Sequence, residues 1–479
     1  MGAAKGAWNG GDIATTTDGM TKPVPHDGLI GLQRYLAVTV VSLGTILTAM
    51  DSSLMNIALP TISRDLGIDA ASSVLIVNAS QMAMLTFLMP LAALGARIGY
   101  RRVYLAGMIT FFAGALAGSF SQTLTEVVAS RVLQGLGGAG IIGMQHALIR
   151  SIYPARLLGR GMGINSMFVA SSSTMGPTVA GAVLAVASWP WLFVINLPLG
   201  AIALLLGYYV LPWNERAEEK LDVRAAVMTA LTLGFFILAI DSFSHGGNPL
   251  IAAGEFAVAF VLAPILIKNQ LEHPAPFLPL DLFRNRIMPL SLIAGQCGFI
   301  AQLLTFVTLP FVLHNAGFSQ VQIGLAMTPW PLTIAVTAPI AGILCDRFPP
   351  GLVGGIGMGL LALGLLLIAF LPEGFQAGDI AWRMALAGLG YGLFSPPNSR
   401  QIMHAAPKSR SGIVSGMIGT NRLTGQSIGA AIGALVLTVA SGNAKLVALS
   451  VGAGVALIGG AFSLMRAPAQ TGGKTQTHP

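Results

Sequence analysis

Residues 35–58 read YLAVTVVSLGTILTAMDSSLMNIA, and Asp51 is the only charge among them. A bilayer core about 30 Å thick is crossed by roughly twenty apolar residues at 1.5 Å rise per residue. The stretch therefore predicts a membrane-spanning helix with one acid inside it. The rest of the chain continues the pattern. Of 479 residues, 26 are Lys or Arg and 18 are Asp or Glu, together 9%, where a soluble domain carries about 25%. Hydrophobic residues reach 54%, Gly alone fills 59 positions, and the mean hydropathy is +0.74. So few charges cannot cover a water-exposed surface, which excludes a string of soluble domains. The fold class is an all-α, multi-spanning membrane protein.

Working outward, apolar runs predict helices near 35–58, 72–94, 103–121, 124–148, 161–186 and 190–211. Two shorter runs follow at 225–242 and 250–268, then six at 288–312, 321–344, 351–371, 381–403, 412–439 and 445–465. Fourteen helices put both termini on one side. With the N-terminus placed in the cytoplasm, most of the 26 Lys and Arg fall in cytoplasmic connections. Arg64 and Lys445 fall outside, Arg383 near an outer helix mouth, and Arg131 and Arg422 within helices, as the positive-inside rule expects. The net charge of +8 is thus spread in short clusters that face an anionic inner leaflet, with no continuous basic face for nucleic acid. Residues 1–30 lack a compact apolar core with a cleavage site and read as a disordered cytoplasmic tail, as do 467–479. Cys297 and Cys345 suggest neither a disulfide nor a metal site. The domain reading is a six-helix bundle over 31–211, a cytoplasmic loop with two linker helices over 212–286, and a second six-helix bundle over 287–466. An internal repeat supports the two halves. Ala129, Arg131, Gly138 and Gly140 match Ala381, Arg383, Gly390 and Gly392 at one offset of 252.

Four motifs then occur in order. They are Met50-Asp51-Ser52-Ser53-Leu54-Met55-Asn56-Ile57-Ala58-Leu59-Pro60, Arg131-Val132-Leu133-Gln134-Gly135, Gly176-Pro177-Thr178-Val179-Ala180-Gly181, and Trp189-Pro190-Trp191 running on to Ile195-Asn196-Leu197-Pro198-Leu199-Gly200. Together they resemble the fourteen-helix branch of drug:proton antiporters in the major facilitator superfamily. The resemblance implies two six-helix bundles plus two linker helices, and export of amphipathic small molecules in exchange for protons. Three departures stand out. Ala96 occupies the place of an acid in the loop after helix 2, although the second-half copy keeps Asp346. Ser172 and Ala180 replace the usual Gly, and Pro190 a common Arg.

Asp51 lies nine positions before Pro60 and Arg131 seven after Leu124, about 13 and 10 Å from the outer helix ends, so the two share a depth. A charge inside the membrane is costly without a partner. One reading is a static ion pair. The other is a proton site, since burial favours the neutral acid and a nearby guanidinium the carboxylate, so that an arginine that moves would switch the proton. Arg422, near the middle of its helix, reads equally as a hydrogen-bond hub with Asn421 and Gln426 or as a cavity residue. Gly176, Pro177 and Gly181 mark a candidate hinge, and Gly425, Gly429 and Gly433 a packing face. Arg97, Gly99, Arg101, Arg102, Asp346 and Arg347 form candidate gating loops. Asp241, Glu255, His146 and His404 read as interfacial or outside the translocation halves.

Polar side chains within spans face a cavity or another helix, which makes Asn56, Asn78, Gln81, Gln134, Gln296, Gln302, Trp330, Tyr391, Asn398 and Arg422 candidates for substrate contact. No phosphate-binding Gly-x-x-x-x-Gly-Lys-Ser/Thr loop and no clustered His, Cys or paired carboxylates occur. The expectation is therefore a functional monomer in the inner membrane, with no enzyme activity and no cofactor, powered by the proton gradient. Its partners are protons, lipid and a small amphipathic substrate, and not nucleic acid. A proton-coupled importer of a nutrient or organic anion fits the same residues, because two intramembrane arginines face one acid.

Overall fold

The computed structural model describes residues 28–213, 222–244, 249–272 and 280–466, apart from 373, 441 and 442. The expected tails at 1–27 and 467–479, and most of the charged connection at 214–224, lie outside them. Among the described residues all regular structure is helical.

In the first half, α1 spans Gly31–Leu66, α2 Ala70–Ile98, α3 Tyr100–Ser119, α4 Leu124–Ile152 and α5 Leu158–Val186. The next apolar run is divided into α6 (Trp191–Val194) and α7 (Asn196–Val210). Pro198 has no N–H to return to Val194, so the helical ladder breaks there. Two helices, α8 (Val223–Ser244) and α9 (Pro249–Glu272), pack as a pair, with α8 also lying against α2 and α15. In the second half, α10 spans Ile287–Asn315, α13 Pro350–Ala369, α14 Ala377–His404, α15 Ser411–Val439 and α16 Ala444–Leu464. Between α10 and α13 the expected single helix at 321–344 is again two, α11 (Gln320–Met327) and α12 (Pro329–Leu344). Pro329 and Pro331, on either side of Trp330, remove two donors at the joint. Eleven helical stretches among the described residues are long and apolar enough to cross a membrane, and α8 adds a shorter run at Arg224–Ile240.

Within each half, glycine lets main chains touch. A side chain at Gly137 would strike the Phe111 backbone of α3, and one at Gly390 the Leu361 backbone of α13. These two positions are 253 residues apart, one more than the offset read from sequence. At 252, Gly138 would match Gly390, yet Gly138 faces Met84 of α2. The consequence is that Arg383 is not the counterpart of Arg131. Buried Met384 takes that place, and Arg383 turns back to Asp379 in the first turn of α14, 3.7 Å away.

The halves meet at one end. The connections after α2, α4, α12 and α14 carry Arg97, Arg101, Arg102, Arg150, Arg156, Arg160, Arg347, Arg400, Lys408 and Arg410, and they interlock there. Arg160, opening α5, lies 3.1 Å from Asp346 after α12, and Arg400 of α14 lies 3.5 Å from the same acid. Arg150 donates to the Ala406 carbonyl at 2.8 Å and to Ser411 Oγ at 3.1 Å. Gly159 and Gly342 meet backbone to backbone. Residues 28–30, read from sequence as the end of a tail, also dock here, Leu29 N–H donating to the Ile152 carbonyl at 2.8 Å.

Candidate functional site

The expected meeting of Asp51 with Arg131 is made in full. Arg131 Nη1 lies 2.6 Å from Asp51 Oδ2, with the two side chains 1% and 2% exposed. The same nitrogen donates to Gln134 Oε1 at 2.6 Å, and Nε donates to the Ile76 carbonyl at 3.2 Å. The second carboxylate oxygen accepts from Gln134 Nε2 at 3.2 Å and Asn196 Nδ2 at 3.4 Å. Two helices, α4 and α7, thus aim donors at the carboxylate on α1, and α2 steadies the arginine through its Ile76 carbonyl. Its surroundings are apolar: Met50, Leu54, Ile76, Val127, Leu192 and Phe193 are buried together here. In such a setting a charge pair is held by geometry and its extra hydrogen bonds, because desolvation offsets much of the attraction. Gln134 touches both partners. If Asp51 takes a proton, Arg131 still has Gln134 to donate to. Asn196 Oδ1 has no partner among the described residues.

Deeper towards the arginine-rich end, α4, α5 and α1 share a second polar layer in which Gln145 donates to Asn165 Oδ1 and Thr45 Oγ1 lies 3.5 Å from it. Neither Asn165 nor Asn196 was singled out from sequence, although Asn196 stands inside a quoted motif.

Two helix bundles, each packed through glycine, with a buried acid–arginine pair in the first and a seal between loops, form the context for comparison with known proteins. The sequence profile described as the Major Facilitator Superfamily matches residues 41–434. The chain belongs to that superfamily. It is a family of membrane transporters, not of enzymes. The chain is 44% identical over 446 residues to "Uncharacterized transporter YebQ" of Escherichia coli K12, covering 92% of this chain and 98% of the relative. It is 29% identical to the tetracenomycin C resistance and export protein of Streptomyces glaucescens, over 88% of this chain and 79% of that one. Among solved structures, the human organic anion transporter MFSD10 superposes with a TM-score of 0.64 at 19% identity, over 90% of this chain and 99% of that one, which shows a shared fold.

The remaining candidates scatter. Asn56 is exposed and donates to the Ser52 carbonyl at 2.9 Å, Gln81 is exposed, and Asn78 and Gln302 are half-buried. Gln296 is half-buried beside Thr424. Asn398 serves the seal end of the second bundle, where buried Arg466 donates to its Oδ1 and to Ser291 Oγ, both at 2.7 Å. Burial lowers Arg466 to about 10. Trp330 is fully buried, packed edge-on to Phe306 at 5.5 Å, and its indole N–H has no partner among the described residues. Tyr391 is buried next to it, the two ring centroids 6.4 Å apart.

The hinge candidates divide too. Gly176 packs closely on Ser53 of α1, whereas Gly181 faces open space and Pro177 lies along the same helix, α5. Gly425, Gly429 and Gly433 line the contact of α15 with α10, meeting Phe299, Ile300 and Val307. In the loops, Gly99 has φ +113°, which a residue with Cβ adopts only under strain, and so lets α2 turn straight into α3. Arg101 is buried, donates to the Tyr208 carbonyl and lies 4.4 Å over the Trp213 ring. Arg102 lies over the same ring at 5.5 Å, while Arg97 and Arg347 are exposed. Ala96 is buried, and the neighbouring Tyr100 hydroxyl takes the contact to the opposite half, accepting from Gly412 N–H of α15 at 3.0 Å.

Proposed function

We propose that this transporter exports amphipathic small molecules in exchange for protons by alternating access, with Asp51 as the proton carrier. The observation that carries the reading is the Asp51–Arg131–Gln134 cluster, the first bundle's buried ion pair, in which one partner can let go without leaving the other unpaired. Fourteen crossings follow when α5, α8 and α14 are counted with the eleven apolar spans. Both termini are then cytoplasmic, and the arginine-rich seal faces the cytoplasm of a bacterial inner membrane. The export of tetracenomycin C by a relative points the same way. One proton moving through 100 mV supplies about 2.3 kcal/mol, enough for roughly a fifty-fold gradient of a neutral substrate, so neither ATP nor a cofactor is needed.

Everted vesicles test this. With the lumen acidified, addition of a transported compound dissipates the pH gradient of the native protein, and Asp51→Asn loses that response while keeping compound binding. Retained proton-linked flux in Asp51→Asn refutes the proton role. Ligand-driven acidification in right-side-out vesicles instead refutes export in favour of import.

A further inference from the structure

Arg422 stands in the middle of α15, a helix that packs against α2 and α4 of the first bundle and α10 of the second. Its neighbour Leu423 packs with Met84 and Leu88 of α2 and Ala139 and Ile142 of α4. The arginine therefore emerges where the two bundles face each other. Its charge acts on His146 of α4 on one side and Tyr391 of α14 on the other. No carboxylate among the described residues pairs with it, and the acid at comparable depth, Asp51, is occupied by Arg131, Gln134 and Asn196. Nε is buried without any hydrogen-bond partner, although the residue as a whole keeps accessible surface. His146 Nδ1, also buried, has no partner among the described residues either. A guanidinium inside a membrane protein is retained at a cost unless something neutralises it. Among the described residues nothing does, and the part of the side chain that stays accessible lies where the halves meet.

Near that charge is an aromatic cluster. The Tyr391 ring lies 6.4 Å from the centroids of Phe299, Trp330 and Phe394. Of these rings Phe299, packed on Gly425 one turn from Arg422, is the one that is not buried, and a flat ring system against it with an acidic group on Arg422 uses both features at once.

We infer that Arg422, with His146 and Tyr391, binds the anionic group of an aromatic amphipathic carboxylate where the two bundles meet. The inference names a substrate class for the export reading above and rests on it for direction only. Loss of a charge-assisted hydrogen-bonded contact weakens binding by about ten- to a hundred-fold.

The test is fluorescence anisotropy with purified full-length protein in nanodiscs, using fluorescein as the planar carboxylate and rhodamine 6G as a planar cation of similar size. Fluorescein binds saturably, Arg422→Gln weakens it by at least tenfold, Arg422→Lys weakens it less, and rhodamine 6G is unaffected by Arg422→Gln or gains affinity. No saturable fluorescein binding, or equal fluorescein affinity in a folded Arg422→Gln protein, overturns the inference. Should Arg422→Gln not fold, Tyr391→Phe removes one hydroxyl from the same site, and a severalfold loss confined to fluorescein supports the inference while an equal loss for both dyes overturns it. The two readings fail separately. Asp51-dependent flux of rhodamine 6G without fluorescein binding leaves proton-coupled export standing and removes the anion site. Arg422-dependent fluorescein binding without proton-linked flux does the reverse.

Discussion

At Asp51 two physical demands are met by one arrangement. A carboxylate taken from water needs a counter-charge, and the proton-carrier role proposed above requires that the counter-charge can be given up. Gln134 reconciles them because an amide can accept from the guanidinium and donate to the acid together, as the 2.6 and 3.2 Å contacts show. Arg131→Ala strands the buried carboxylate and is expected to cost about 3–5 kcal/mol of stability. The double variant Asp51→Asn with Arg131→Gln, which removes both charges, is expected to recover most of that loss in thermal melting. Equal loss in both variants would mean that the pair adds only packing. The depth match between Asp51 and Arg131 was legible by counting residues along two helices. Asn196 was not, because its approach to Asp51 depends on the break that starts α7. Nor was the use of Asn398 as a partner for Arg466, since helices apolar on every side give no periodicity from which to read the direction of a polar side chain.

Among the elements, helix existence was readable from apolar runs and helix integrity was not. The joints at Ile195 and Thr328 follow from prolines whose missing donors count only once the helix is formed. The start of α15 shows how a departure from a family pattern is absorbed. Its first-turn N–H groups need acceptors from outside the helix. With Ala96 where an acid is common, the Tyr100 hydroxyl meets Gly412 N–H from one residue past the loop glycine. The opposite clamp, Asp346 with Arg160 and Arg400, remains ionic. Tyr100→Phe keeps the ring and removes the acceptor, so the seal is expected to weaken by about 1 kcal/mol, roughly a fivefold shift towards its open form. Raising salt is expected to weaken only the Asp346 clamp. Cross-linking yield between introduced cysteines across α2 and α15 measures the first effect, and no change on Tyr100→Phe would show that the hydroxyl is idle.

For the molecule as a whole, an all-helical membrane transporter was legible from composition and apolar runs, while the register of the repeat was off by one because glycines are frequent enough to match at neighbouring offsets. Opening of the seal has a native reporter. Cys345 is buried between the end of α12 and Arg400, and burial pushes its thiol up to about 12. Only the thiolate reacts with maleimide, so in a Cys297→Ser background labelling is expected to be slow at pH 7, to rise about tenfold per pH unit while the seal holds, and to accelerate in Tyr100→Phe. Rapid labelling of the sealed protein at neutral pH would contradict the burial.

At the centre of that seal, Gly159 and Gly342 bring α5 and α12 together with no side chains between them. Interlocked side chains must unthread, one rotamer after another, before two helices can part. Two bare backbones behave instead like a valve on its seat: they lift apart as rigid bodies and resettle without a search. The speed of opening is then governed by the polar clamps around the rim, and even one methyl group on the seat, as in Gly342→Ala, is expected to leave it ajar.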